Sequence, residues 1–432
     1  MPRARSSPQL VIAEIIAVGS ELLLGGRTDS NSLLITEELA SLGIEVRFKS
    51  IVGDDRADIV RALKVAASRA GIIIMTGGLG PTVDDCTREA IAAAAGRTLS
   101  RRKEAFDGMQ MRLAQWGRSP NKGQLRQALI PSRATVVPNP IGSAPGFWLS
   151  WRRSTVISLP GVPAEMAAMM RETVVPLLSS QVARRGAAPI KRHVFHTWGL
   201  PEADVDEKLK GLISKQSPVD LGLLASPMGV LVSLTTKTDG RASAEMFASL
   251  SASVRARLSE WIIAEGTDSM EAVVGRLLLE GKHSLALAES CTGGLIGHRL
   301  TQIPGSSAYV DRGVISYSNK AKIDLLGVPA DLIERHGAVS AEVAAAMAKG
   351  VRERSGVSIG LSVTGIAGPG GATATKPVGL VYVGLDAGNG NAFTREHRFH
   401  GDRSVIKQRS SQAALDLLRR WLLKAQGTAR PG

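Results

Sequence analysis

The feature that most constrains this chain is the regular alternation of short apolar runs, rich in β-branched residues, with segments of helical period. Val11 to Val18, Ile44 to Val52 and Gly71 to Thr76 read as strands; Asn31 to Leu42, Arg56 to Ala70 and Arg88 to Ala95 read as helices, two of them stopped by Gly43 and Gly96. Thr155 to Leu159 and Ala164 to Leu178 continue the pattern. Strands separated by helices of this length imply a parallel sheet covered on both faces. The pattern changes after a linker-like stretch, Gln181 to Pro189, where strands are expected at Arg192 to Trp198 and Gly229 to Thr236, with helices Ala203 to Ile213 and Ala242 to Leu258. From about residue 268 the alternation resumes. The helix Met270 to Glu280 comes first, followed by a strand ending at Glu289, a helix from Thr292, and strands at Gly313 to Tyr317, Ile359 to Val363 and Val378 to Leu385. Helices are expected at Ser340 to Arg354 and Ser404 to Leu423. The expected class is α/β: two three-layer α/β domains with mainly parallel sheets, over 1–175 and 266–432, joined by a small α+β module over 176–265. Three units also suit 432 residues at about 150 per domain.

Composition removes several classes of function. No apolar run reaches the length of a membrane span, and the basic stretch Met1 to Pro8 lacks the apolar region of a signal peptide, so it is read as a disordered leader of a cytoplasmic protein. The two cysteines, Cys86 and Cys291, are too far apart for a zinc-ligand spacing, and no histidines pair at metal-binding intervals. Any metal would be a hard cation held on carboxylates. The net charge of +14 is partly concentrated in residues 97–133, which carry nine Arg or Lys against Glu104 and Asp107. Aromatic residues make up only 4% of the chain and few lie near those arginines, which argues against nucleic acid and for a solvated helix face or a rim attracting anionic small molecules.

Chemistry is expected where strands end in loops rich in Gly, Pro and acidic residues. Met75-Thr-Gly-Gly-Leu-Gly-Pro-Thr-Val-Asp-Asp85 joins a strand to a helix, so Gly77, Gly78 and Gly80 would let backbone approach an anion at a helix start, and Asp84 and Asp85 could hold Mg²⁺ beside a pyrophosphate. Read alone, the same residues make an ordinary tight turn. Three further loops of this kind, Gly19 to Asn31, Asn139 to Gly146 and Leu159 to Glu165, favour a ligand.

In the last unit, Ala288-Glu-Ser-Cys-Thr-Gly-Gly294 places Ser290 where a strand turns into a helix, as at a nucleophile elbow. Thr292 could cap the helix, while Gly293 and Gly294 admit a substrate. A structural reading makes Ser290 and Thr292 caps and Cys291 packing, though a thiolate at a helix start also keeps Cys291 open as an alternative nucleophile. No histidine is suitably placed as a base. Tyr317-Ser-Asn-Lys-Ala-Lys322 offers a lysine that could act once desolvated, with either Lys320 or Lys322 expected to be merely solvated. Thr364 to Gly371 is a further anion cradle, and Arg403 in Gly401-Asp-Arg-Ser404 could grip a phosphate.

The ordered set "VGSELLLG", "TDSN", "VGDD", "TGGLGPTVDDCTREA", "GSAPG" and "LPGVPAEM" closely resembles the N-terminal domain of the competence/damage-inducible CinA family, which has a molybdopterin-binding fold. The resemblance implies a metal-dependent pyrophosphatase splitting ADP-ribose into AMP and ribose 5-phosphate. By motif it implies that Gly77, Gly78, Gly80 and Pro81 bind phosphate and that Asp84 and Asp85 bind the divalent metal. Glu21, Asn31, Gln127 and Glu165 would contact substrate. One departure is that Gln124 stands nearer than Asn121 to Gln127-Ala-Leu-Ile-Pro131, where the family usually has Asn. The motifs "LALAESCTGG", "PGSS", "GVISYSNKAK", "GAVSAEVAAAMA", "VTGIAGPGG", "KPVGLVYVG" and "FHGDR" resemble the family's C-terminal nicotinamide-mononucleotide (NMN) amidohydrolase domain. There the resemblance implies Ser290 as nucleophile, Lys322 as base and Tyr317 as its hydroxyl partner, without a cofactor. Thr292, Gly293, Gly294 and Ser306 would line the substrate site, and Thr364, Gly365 and Arg403 would grip phosphate, with Lys407 where the family often has a second Arg. A homodimer is the default assembly. Two other readings compete with this one. One is an N-terminal pterin-binding or nucleotidyl-transfer module, and the other is a non-enzymatic nucleotide sensor acting in DNA uptake or repair.

Overall fold

The computed structural model describes residues 11–185, 191–214, 217–236 and 241–428. The leader Met1 to Pro8 lies outside them, as do residues 186–189 of the linker-like stretch. The chain divides into two compact units, one of residues 1–192 with 235–245, the other of residues 193–234 with 246–432. Among the described residues, no helix is long and apolar enough to cross a membrane.

In the first unit, β1 (Val11–Val18), β2 (Ile44–Val52) and β3 (Ile72–Thr76) are followed by a two-stranded ribbon of β4 (Leu99–Arg101) and β5 (Leu129–Pro131), then β6 (Thr135–Val137), β7 (Gly146–Trp151) and β8 (Ser154–Leu159). The six-stranded sheet runs β2-β1-β3-β8-β7-β6; the first four strands are parallel, as expected, and β7 and β6 continue antiparallel. Side-chain alternation builds the two cores. Val11, Ala13, Ile15, Ile72 and Ile74 face one, with Ile35 and Leu39 of helix Asn31–Ser41, while Ile16, Val18, Ile73 and Met75 face the other, with Ile59 and Leu63 of helix Arg56–Arg69. Asp55 caps the latter helix on the amides of Ala57 and Asp58, and Gly96 ends helix Thr87–Ala95 at φ 63°.

The basic segment is partly accounted for inside this unit. Arg97 donates to the carbonyls of Ser132 and Ser150 and Arg102 to that of Ala134, so these two hold backbone, while Arg126 pairs with the Glu89 carboxylate.

The second unit contains a four-stranded sheet, β10-β11-β9-β12, of β9 (Arg192–Thr197), β10 (Val219–Ser226), β11 (Gly229–Thr236) and β12 (Ile262–Glu265). The sheet packs on helix Arg241–Leu258 through Phe195, Val232, Leu234, Val254 and Leu258. Its larger part has β13 (Leu285–Glu289), β14 (Val310–Ile315), β15 (Ile359–Gly365), β16 (Leu380–Asp386) and β17 (Ala392–Arg398) in the order β14-β13-β15-β16-β17. β14, β13 and β15 are parallel; β16 and β17 are antiparallel. Leu285 and Leu287 of β13 join one core with Leu415 and Leu418 of the last helix, and Ala286 and Ala288 join the other with Val343 and Met347 of helix Ala341–Ser355. The class is α/β with parallel strands at the centre of both large sheets, and the antiparallel edges are additions to the expected pattern.

Candidate functional site

Both sites form where central parallel strands end. β13 delivers Ser290, whose amide donates to Val363 at the end of β15. After it the chain makes a turn through Gly293 (φ 62°) and Gly294 (φ 93°) before helix Leu295–Thr301. The helix therefore begins later than Thr292, and Thr292 does not cap it. Its hydroxyl is buried without a partner, and the cap is the carboxylate of Glu289, which accepts from the amides of Gly294 (3.0 Å), Ile296 (3.1 Å) and Gly297 (2.8 Å). The amides of Cys291 and Thr292 donate to no other residue among those described, which leaves two donors beside Ser290.

Lys322 arrives from helix Asn319–Leu326, capped by Ser318. Its Nζ lies 3.0 Å from Ser290 Oγ, and it donates to the carbonyls of Ser316 (2.8 Å) and Tyr317 (3.4 Å). Only 1% of this residue is exposed, and burial pulls its pKa below the ordinary lysine value. Lys320 is the solvated one of the two, paired with Asp324 at the surface. The Tyr317 hydroxyl does not meet the lysine: it accepts from Arg403 Nη2 at 2.7 Å, and only the Tyr317 carbonyl reaches Nζ. Arg403 also donates to the Gly368 carbonyl, so it ties the 364–371 loop to Tyr317. Lys407 Nζ would lie 3.6 Å from a Cβ placed on Gly293, which brings a second cation to the elbow. Two expected grips are otherwise engaged. The Thr364 hydroxyl donates to the Ala338 carbonyl, and a Cβ on Gly365 would meet Val381 at 2.7 Å, so both residues pack rather than present groups. Ser306 is buried in the turn before β14, and none of its bonds reaches Ser290 among the described residues. Burial pushes the Cys291 thiol up to about 12, so it holds little thiolate for attack.

In the first unit a cavity of about 620 Å³ opens above β1, β3 and β8. It is lined by Glu21, the loop from Gly77 to Pro81, Asp84, Asp85, Gln127 and Glu165, which brings together seven of the expected residues besides Pro81 and Glu165. Gly77 (φ 104°) could carry no side chain, since a Cβ would sit 2.0 Å from the Val18 carbonyl. Asp85 departs from expectation. One carboxylate oxygen accepts from the Gly80 amide and the other from Thr82, so Asp85 clasps the loop, whereas Asp84 stays exposed on the cavity lining. Asn31 also turns inward, donating to Thr76 Oγ1 and the Gly161 carbonyl, both at 2.9 Å, and it joins two loops rather than lining the cavity. Asn121 and Gln124 cap each other at the start of helix Lys122–Arg126, so neither is free for a ligand, whereas Gln127 lines the cavity and accepts from Ser143. The half-buried Glu165 accepts from Asn139 at 2.7 Å, and burial pushes its pKa up. Asp54 and Asn139 were not singled out from sequence, although both stand in Gly/Pro/acid loops at strand ends, the signal that marked their neighbours.

Among the described residues no three His, Cys, Asp or Glu side chains gather closely enough to hold a metal by themselves. Glu21 and the exposed Asp84, whose pKa is lowered by the Thr82 side chain and local amides, are oxygen donors that both line the cavity. That set fits a hard cation completing its shell with phosphate oxygens and water.

Comparison with known proteins matches residues 14–180 to a probable molybdopterin binding domain, 192–264 to the damage-inducible protein CinA KH domain and 267–422 to the CinA C-terminal domain. A CinA-like protein of Geotalea uraniireducens is 42% identical over 409 residues, covering 94% of this chain and 97% of its own. One of Thermosynechococcus vestitus is 43% identical over 416 residues, covering 95% and 99%. Among solved structures, a competence/damage inducible protein of Agrobacterium tumefaciens is 43% identical, covering 36% of this chain and 95% of its own with a TM-score of 0.34. Identity at this level over nearly the full length of both chains makes this protein a member of the CinA family.

Proposed function

We propose that the C-terminal site hydrolyses the carboxamide of NMN to nicotinate mononucleotide and ammonia by a Ser-Lys mechanism. The observation that carries this reading is a dry lysine amine 3.0 Å from a serine at a strand-to-helix elbow. Neutral Lys322 takes the Ser290 proton as Oγ bonds to the amide carbon, and the carbonyl oxygen becomes an oxyanion beside the free amides of Cys291 and Thr292. As the intermediate collapses, the C–N bond breaks and Lys322 returns its proton to the departing nitrogen, which leaves as ammonia. Water, deprotonated by the same amine, then cleaves the Ser290 ester to release the acid. Arg403 and Lys407 supply charge for the substrate phosphate.

The test is ammonia release from NMN by the full chain and by Ser290→Ala, Lys322→Met and Cys291→Ala variants. Loss of at least about a thousandfold in the first two, with Cys291→Ala close to wild type, is expected. A wild-type chain that releases no ammonia, or a Ser290→Ala variant that still does, overturns it.

The cavity of the first unit favours a second activity, hydrolysis of ADP-ribose to AMP and ribose 5-phosphate. Glu21 and Asp84 would hold a divalent cation there, which would supply positive charge against the pyrophosphate oxygens. The glycine loop binds the pyrophosphate, and Glu165, with its raised pKa, takes the proton of the attacking water.

A further inference from the structure

The bulkiest fully buried side chain among the described residues is that of Arg88, in the first turn of helix Thr87–Ala95, and it forms no ion pair there. Nη1 donates to the Leu79 carbonyl at 3.2 Å, and Nη2 donates to the Leu79 and Gly80 carbonyls at 2.9 and 3.0 Å. Its Nε is buried with no acceptor. Enclosing a guanidinium is costly, and neutral carbonyls offset this less well than a carboxylate would. Burial accordingly pulls its pKa down, although Glu89 and Asp85 lie near enough to favour the charge. An apolar side chain would fill the helix-to-sheet space at lower cost, so packing alone does not account for arginine here.

Its contacts lie on one side of the glycine loop. With the Leu79 and Gly80 carbonyls drawn to the guanidinium, the amides of Gly78 and Leu79 donate to no other residue among those described, while the Gly77 and Gly80 amides are spent on Leu159 and Asp85. We propose that Arg88 is a positioning residue for an anion cradle: it holds the Gly77–Pro81 loop with two amides free for a pyrophosphate and keeps a fixed positive charge behind that loop. The inference deepens the pyrophosphatase reading of the first unit and rests on it for the ligand class, a nucleoside diphosphate ester.

The experiment is calorimetric titration of the full chain with inorganic pyrophosphate and Mg²⁺, alongside ADP-ribose kinetics, for wild type, Arg88→Met and Arg88→Lys. Ammonia release from NMN reports folding of the other unit, and melting reports folding of this one. Arg88→Met should bind pyrophosphate about tenfold more weakly or worse, with KM for ADP-ribose rising more than kcat falls. Arg88→Lys, which keeps the charge but cannot span both carbonyls as a planar fork, should recover part of the loss. Pyrophosphate affinity equal to wild type in a folded Arg88→Met overturns the proposal. Should that variant fail to fold, Arg88→Lys decides alone, with weakening of about threefold supporting the proposal and no weakening overturning it. A wild type that binds pyrophosphate but leaves ADP-ribose intact sinks the hydrolase reading and spares the cradle. One that binds no pyrophosphate sinks both.

Discussion

With its amine set between Ser290 Oγ and two carbonyls, and no carboxylate bonded to it, Lys322 has little to keep it protonated. Its pKa lies below the ordinary value of about 10.4, and turnover needs the neutral amine. NMN hydrolysis should therefore rise with pH through that lowered pKa and reach its plateau at a lower pH than an exposed lysine would give, as a pH–rate profile of kcat/KM checks. The same shift has a sign in stability. Charging this amine costs the native state more than the unfolded one, so stability grows as pH rises from the lowered pKa toward about 10.4, a slope that Lys322→Met removes. Ser290 was legible in sequence because it stands at a strand end, and Lys322 because it belongs to a recognisable motif, the residues alone leaving Lys320 open beside it. The Tyr317 hydroxyl and the Thr292 cap were misread for one reason: sequence spacing places a residue on a loop but does not say which way its side chain turns.

At the level of elements, the elbow depends on Glu289. Its carboxylate is 2% exposed and takes three amides at the N-terminal end of a seven-residue helix, where the helix dipole adds to the attraction. Glu289→Gln keeps the shape but replaces one acceptor oxygen with a donor facing an amide. It should destabilise the fold by about 1–3 kcal/mol in urea titrations and lower kcat as the serine loosens. An unchanged midpoint would show that the cap carries no energy. The long helices were readable because each buries a periodic apolar face, and the central strands β1, β3 and β13 because each is a short apolar run buried on both sides. β17 was not, since Ala392-Phe-Thr-Arg-Glu-His-Arg398 is an edge strand with six of its seven residues exposed and shows no alternation. Strands β4, β5 and β6 have three residues each, too short for a period of two to register.

For the whole molecule, the two sites differ in what they require. The Ser-Lys site needs no metal in the proposed mechanism, whereas Glu21 and Asp84 are too few to work on a pyrophosphate without a cation. EDTA should therefore abolish ADP-ribose hydrolysis and leave ammonia release from NMN unchanged in the same sample, and Mg²⁺ should restore the first. Loss of both activities together would contradict the assignment. The order of α/β segments was visible in the sequence at this scale, because alternating periods need no knowledge of contacts. The antiparallel β16 and β17 were not, because strand direction depends on where a glycine-rich connection returns the chain.

The setting of the two cysteines has a practical consequence. Burial holds the Cys291 thiol near 12, and burial with neighbouring acids also raises that of Cys86, so at neutral pH neither carries appreciable thiolate. Both native thiols should therefore react with maleimides more slowly than an unburied cysteine does, the buried Cys291 most slowly of all. A cysteine introduced on an exposed loop would be labelled ahead of the native pair, ready for a fluorophore or a surface tether.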